Sequence, residues 1–314
     1  MVGYIERILI QIILFGGNRN ITPNFFDNFF GEVFIFDYIC KKTKKMETLK
    51  EKCERLRGAT DYKLNKNTYT IVMIDGKNFS KLIKNNYKKP FDDIFINIMN
   101  EVAIWVCKNI QNCKFVYVQS DEITFILTDF ETNEMGAYYD YRLCKILSLI
   151  PSFATAKFNQ MSILNVLETQ DDIVTAKKMV EDIRLAQFDC KAWNVDTFND
   201  AYAHLLWRQI VCVRNSKRMA AQTYLSHKEI LNKNSDEQIK MLLEKTGIDW
   251  NNYTDDKKYG RFIYREEIEV PLPNDSENSC IRHKWMAHNA FPLFEKGSKG
   301  KLINMNLIPV RNEH

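Results

Sequence analysis

Residues 115–128 read FVYVQSDEITFILT, two runs rich in β-branched and aromatic residues that meet at Ser120, Asp121 and Glu122. Such runs predict the two strands of a hairpin. Asn-Gly or Asp-Gly would close that hairpin most easily, yet this turn carries two adjacent acids and no glycine. Upstream, TYTIVMID (68–75) reads as a buried strand that ends on Asp75 and is followed by Gly76. Between the two lies DDIFINIMNEVAIWVCKNI, with Asp92 as a good N-cap and Ile94, Phe95, Ile98, Met99, Val102 and Val106 on one helical stripe. Strand, helix, strand, strand with a right-handed crossover makes the strands neighbours in an antiparallel-containing sheet. Asp75, Asp121 and Glu122 then converge at one edge of it.

Further along, METLKEKCERL (46–56) predicts a short helix with Leu49, Cys53 and Leu56 on one side. YYDYRLCKILSLI predicts a helix that bends or stops at Pro151. A strand is expected over 187–193, then a long helix over 196–226 capped by Asp196. A further helix over 235–247 begins with Ser235 as cap and ends at Gly247, and a strand over 260–273 is expected to terminate at Pro271.

The 314 residues are 45% hydrophobic, and the net charge of +4 arises from 44 basic against 40 acidic residues, so any electrostatic footprint must be local. Eight cysteines without C-x-x-C spacing argue against a zinc site and a disulfide framework, and for a reducing compartment. The apolar stretch YIERILIQIILF (4–15) is short for a bilayer span, carries Glu6 and Arg7, and has no small-residue cleavage site after it. Asp27, Glu32 and Asp37 break the acid-poor pattern of a transit peptide. The expectation is an extension over 1–45, a catalytic domain over 46–186 and the remainder of the catalytic unit, with the long helix, over 187–314. No membrane partner is expected; the expected compartment is cytoplasmic, with a mitochondrial one as the alternative.

Two acids held close by rigid strands repel unless a cation sits between them, and Mg²⁺ prefers carboxylate, carbonyl and water oxygens. Gly76 lets backbone approach a ligand and offers its carbonyl. A pair of ions about 4 Å apart is the arrangement that nucleotidyl transfer uses. DGKNFS (75–80) could cradle a triphosphate with its backbone N–H groups, Lys77 and Ser80. Arg142 and Lys145 lie one helical turn apart and could reach phosphates as well. The plainer alternative makes Asp75 a turn cap and the other two acids solvated loop residues.

MIDGKNFS, KKPFDD, VQSDEITFIL, FDCKAW, LLWRQ, VRNS, YLSHKE and GIDWNNY…GRFIYREE, in that order, resemble the tRNA-His guanylyltransferase superfamily over about residues 46–267. RNS followed by SHKE is similar to the guanylyltransferase-like branch, the template-dependent 3′-to-5′ RNA polymerases, with Val213 where the guanylyltransferases proper carry a histidine. Val211 departs from the acid usual after W-R-Q. The resemblance implies an α+β, polymerase-palm-like (ferredoxin-like) fold and two Mg²⁺ ions on Asp75, Asp121 and the Gly76 carbonyl, with Glu122 as a supporting catalytic acid. It implies nucleotide contacts from Asp75, Gly76, Lys77, Asn78, Phe79, Ser80, Ser120, Asp121, Arg142 and Lys145. It also implies tRNA, ATP, GTP and other NTPs as partners, and a homotetramer. Arg208, Arg214, Asn215, Ser216, Lys217, Arg218, His227 and Lys228 form the expected tRNA strip, while Trp193 and Trp207 are expected in the core. The implied activity is extension of a tRNA 5′ end. Alternatives are addition of a single G to tRNA-His, a palm-type nucleotide cyclase and a non-catalytic RNA-binding relative.

Overall fold

The computed structural model describes residues 47–132, 136–272 and 275–311. The stretch 4–15 and the extension expected over 1–45 lie outside the described residues. Helix α1, Leu49–Gly58, belongs to a unit that ends at Thr60; Thr48 and Glu51 form its capping box, and none of its residues is buried.

The unit from Asp61 onward is built on β1 Tyr69–Gly76, α2 Phe79–Asn86, α3 Asp93–Asn109, β2 Cys113–Gln119, β3 Glu122–Thr128, α4 Leu143–Thr169, α5 Ile173–Asp182 and β4 Phe188–Val195. There follow α6 Phe198–Tyr224, α7 His227–Ile230, α8 Ser235–Thr246, α9 Asp255–Tyr259, β5 Arg261–Leu272, β6 Asp275–Asn289 and α10 Ser298–Asn304. The six strands form one antiparallel sheet in the order β4-β1-β3-β2-β5-β6. Its first four strands with α3 and α4 make the β-α-β-β-α-β arrangement of a ferredoxin-like palm.

Both faces of the sheet are covered, which is why β1, β2 and β3 read as near-continuous apolar runs. Val72, Ile74, Val116 and Phe125 pack against Phe95, Met99 and Val102 of α3 and Ile146, Ile150 and Phe158 of α4. Tyr69, Ile71, Tyr117 and Ile126 pack on the other face against Ala201, Leu205 and Cys212 of α6, with Leu293, Leu302 and Leu307 closing that layer. Asp92 caps α3 by accepting from the Phe95 N–H at 2.9 Å, and the stripe lies as expected except Ile94, which is 42% exposed.

Several boundaries differ from the sequence expectation. Helix α4 starts only at Leu143, because Tyr139, Asp140 and Tyr141 hold left-handed backbone, and it does not stop at Pro151 but continues to Thr169. One missing N–H is tolerated where Ile150, Pro151 and Ala154 are all buried in the core. Thr197 rather than Asp196 caps α6, and Asn234 rather than Ser235 caps α8. Strand β5 continues through Pro271 into a hairpin with β6; β2 pairs with β5 only over Arg261–Ile263, so among the described residues no strand pairs with the other edge of β5 at the proline.

Candidate active site

Where β1 ends, the antiparallel register sets Asp75 opposite Glu122 of β3 on one side and opposite Asp189 of β4 on the other. Glu122 stands opposite Gln119 of β2. Directly opposed residues share a face, so Asp189, Asp75, Glu122 and Gln119 form a row across four strands, on the α6 side. Asp121 follows Ser120 in the two-residue turn beyond that row. Ser120 takes φ 46°, the region that favours glycine, and the turn is fastened by Gly76 N–H donating to the Asp121 carbonyl at 3.2 Å. The tie to β1 explains how a glycine-free turn is held.

Glu122 is buried and fully engaged. Its carboxylate accepts a fork from Arg208 of α6, with Nε at 2.7 Å and Nη2 on the second oxygen, and a further bond from Gln119 Nε2 at 3.0 Å. Asp75 and Asp121 have no such cation partner among the described residues. Burial, with the charges of Glu122 and Asp189, raises the Asp75 carboxyl above its ordinary range despite Arg208 nearby. Burial and the adjacent Asp75 push Asp121 up to about 6. Both acids open onto a cavity of about 320 Å³ between the sheet end, the segment 83–96 and α6, whose wall includes Phe91, Phe95 and Ile96. That is the size and mixed lining of a nucleotide-scale pocket.

A sequence model described as Thg1, tRNA-His guanylyltransferase, matches residues 48–196. An uncharacterised protein of Acanthamoeba polyphaga mimivirus is 26% identical over 75% of this chain and 82% of its own. A probable tRNA(His) guanylyltransferase of Dictyostelium discoideum is 26% identical over 70% of this chain and 86% of its own. Two bacterial tRNA(His) guanylyltransferase-like structures superpose on it: one in complex with ATP at TM-score 0.68, 26% identity, 84% of this chain and 100% of the other. The second, in complex with GTP, reaches TM-score 0.63 at 27% identity over 82% and 98%. Residues 48–196 carry the sequence of the tRNA(His) guanylyltransferase superfamily, and the fold around them is shared with its bacterial guanylyltransferase-like structures. Members of this superfamily are nucleotidyltransferases.

Read as a superfamily member, the chain fits a magnesium site in its donor chemistry. Two carboxylates whose proton affinities are raised, Asp75 by burial and the charges of Glu122 and Asp189, Asp121 by burial and the charge of Asp75, are hard oxygen donors beside a glycine in the chain, with no ion-pair partner among the described residues. Among the described residues no group of three or more His, Cys, Asp or Glu side chains is placed to hold a metal ion together. In the expected phosphate loop, Lys77 N–H is taken by the Gln187 carbonyl at 2.8 Å, Asn78 holds φ 57° at the start of α2, and α2 has no side-chain cap. Phe79 is a correction: its ring is buried between Phe158 and Phe188, at 5.2 and 5.0 Å, leaving only its backbone for a ligand.

Gly76 is required for packing. A Cβ there would meet Phe79 Cδ2 at 2.4 Å. Gly76→Ala is therefore expected to lower stability by about 1–3 kcal/mol through overpacking, measured by urea denaturation, with activity falling as the α2 start is displaced.

The other expected residues fare unevenly. Arg142 precedes α4 and pairs with Asp61 at 2.9 Å, while Lys145 lies 5.9 Å from the Tyr139 ring; neither lines the cavity. Arg208 faces inward onto Glu122, and buried Ser216 donates to the Lys257 carbonyl and accepts from Trp250 Nε1, so neither belongs to an outward strip. Lys217 pairs with Asp236 at 2.5 Å. Arg214, Asn215, Arg218, His227 and Lys228 are exposed. Trp193 packs beside His204 as expected, but Trp207 is 56% exposed with the Arg208 guanidinium 4.6 Å over its ring. Asp189 was not singled out by sequence; its only signal was its place in FDCKAW, since the pairing of β4 with β1 is what brings it to Asp75.

His204 gives a pH test. Burial, with Arg208 beside it, pushes its imidazole down to about 4. The folded state therefore holds it neutral while the unfolded chain takes up a proton from about pH 6.5 downward, so its contribution to stability is lost as pH falls from about 6.5 to 4. His204→Gln should flatten the fall in melting temperature over that interval.

Proposed function

We propose that this enzyme adds nucleotides to the 5′ end of tRNA in the 3′-to-5′ direction, the choice of base being set by pairing across the acceptor stem. The observation that carries this reading is the pair Asp75 and Asp121, two acids without a cation partner at the mouth of a nucleotide-sized cavity, in a chain similar to proteins in complex with ATP and GTP. In the first transfer the 5′ phosphate of the RNA attacks the α-phosphate of ATP or GTP, and pyrophosphate leaves. In the second, the 3′-hydroxyl of an incoming NTP attacks the activated 5′ phosphate, and the nucleoside monophosphate leaves. Two magnesium ions held by Asp75, Asp121 and the Gly76 carbonyl would supply the positive charge that such transfers require. The protein's own contribution is positioning and exclusion of water. Arg208 neutralises Glu122 so that Asp75 meets less negative charge, the start of α2, which has no side-chain cap, would offer its first N–H groups with Lys77 and Ser80 beside them, and the apolar wall of Phe91, Phe95 and Ile96 receives a base. Arg214, Arg218, His227 and Lys228 meet RNA phosphates, across the subunits of a homotetramer.

The test is a radiolabelled, 5′-truncated tRNA incubated with Mg²⁺, ATP and all four NTPs while the template base opposite the new nucleotide is varied. Addition that follows the pairing rule is expected. Incorporation of G whatever stands opposite would replace repair by addition of G to tRNA-His. A cyclic nucleotide formed without RNA would point to the cyclase class.

A further inference from the structure

Arg261 opens β5 beside the reaction cavity, in register with Val118 of β2, near the turn that carries Asp121. The strand reaches this place because Gly260 precedes it: at φ 85° a Cβ would strike the Val118 carbonyl at 2.6 Å. The Arg261 side chain lines the cavity yet the residue is only 4% exposed. Its Nε donates to Asn100 Oδ1 of α3 at 3.0 Å, while Nη2 is buried without a hydrogen-bond partner among the described residues.

A guanidinium keeps its charge in a protein, and a buried charge without an anion is strongly unfavourable. The acceptor that the described residues give it, an amide oxygen, is neutral, and the Asp256 carboxylate on the cavity wall favours its charge from a distance without a hydrogen bond or ion pair to it. A ligand entering the cavity is what can supply the missing acceptor together with a directly bonded counter-charge. A base edge would give the hydrogen bond without the charge; a phosphoryl group gives both, and matches the planar fork. We propose that Arg261 is a phosphate-binding residue, taking a phosphoryl oxygen of the substrate that fills this cavity. The inference rests on the reading of the cavity as the nucleotidyl-transfer site. Two sources share the chemistry: the polyphosphate of an NTP and the 5′ phosphate of the RNA.

Affinity is measured by calorimetry on the full chain with Mg²⁺, without turnover, for ATP, GTP and phosphate-free adenosine, and for a hairpin RNA with either a 5′ phosphate or a 5′ hydroxyl. Arg261→Met and Arg261→Gln should weaken whichever phosphorylated ligand Arg261 holds by about ten- to a hundredfold and leave its phosphate-free counterpart unchanged. Loss confined to ATP and GTP assigns the NTP; loss confined to the 5′-phosphorylated RNA assigns the RNA end. Equal loss for phosphorylated and phosphate-free ligands, or no loss, overturns the proposal. If neither neutral variant folds, Arg261→Lys is read the same way, its ammonium lacking the fork: a smaller but still phosphate-dependent loss supports the role, and a phosphate-independent one overturns it. Because no turnover is needed, phosphate-dependent loss in a chain that transfers no nucleotide would sustain this role and sink the reaction; normal transfer by Arg261→Met would do the reverse.

Discussion

Asp121→Asn protein is expected to melt at a higher temperature than wild type in the absence of divalent cation and to have lost nucleotide transfer by about a thousandfold or more. Both effects have one cause. Asp121 is held beside Asp75 in a buried setting that pushes its carboxyl up to about 6, so above that pH the metal-free fold carries two close charges that disfavour each other. Asparagine keeps the shape and removes one charge, which relieves the fold. The same change removes an oxygen ligand and half of the charge that would hold magnesium, a loss of several kcal/mol from the transition state, where about 4 kcal/mol is a thousandfold in rate. Asp75→Asn should behave alike. The measurements are a melting curve with and without Mg²⁺, and the extension assay. Wild type should gain melting temperature on adding Mg²⁺ and the variants should not; retained extension by either variant would remove these acids from the metal site.

What could be read from sequence follows how local the cause is. β1, β2 and β3 were legible because burial on both faces leaves continuous apolar runs, and α3 because Asp92 and its stripe lie within a few residues of each other. The convergence of Asp75 with Asp121 was legible because a β-α-β-β order permits few ways of pairing the strands. Glu122 was not. Its partner Arg208 lies 86 residues away on a helix across the sheet, and nothing in SDE distinguishes an acid open to a ligand from one closed by a guanidinium. Arg208 and Arg214 look equivalent in the sequence, yet α6 turns one onto the sheet and the other to solvent. Pro151 misled for the complementary reason: the propensity of one residue was outweighed by the packing of Ile150 and Ala154 around it. Strand β6 carries charged residues on much of its length, and its pairing with β5, not a pattern of its own, makes it a strand.

The Glu122–Arg208 pair separates support of the site from participation in it. Removing one member of a buried ion pair leaves the other charged and unpaired, which typically costs about 3–5 kcal/mol. Glu122→Gln and Arg208→Met should therefore each destabilise the fold by that order in urea denaturation, the opposite sign from Asp121→Asn. Replacing both by methionine removes both charges and keeps apolar volume, so most of the loss should return in the double variant, a coupling that only a direct pair produces. Activity is expected to divide differently. Because the Glu122 carboxylate already accepts three hydrogen bonds from Arg208 and Gln119, Glu122→Gln assayed at a temperature where it stays folded should keep transfer within about tenfold of wild type, set against the thousandfold of Asp121→Asn. A thousandfold loss in a demonstrably folded Glu122→Gln protein would make that carboxylate a participant in the chemistry. A double variant no more stable than either single one would mean that the charges do not act on each other, and that Arg208 turns from α6 onto the sheet for another reason.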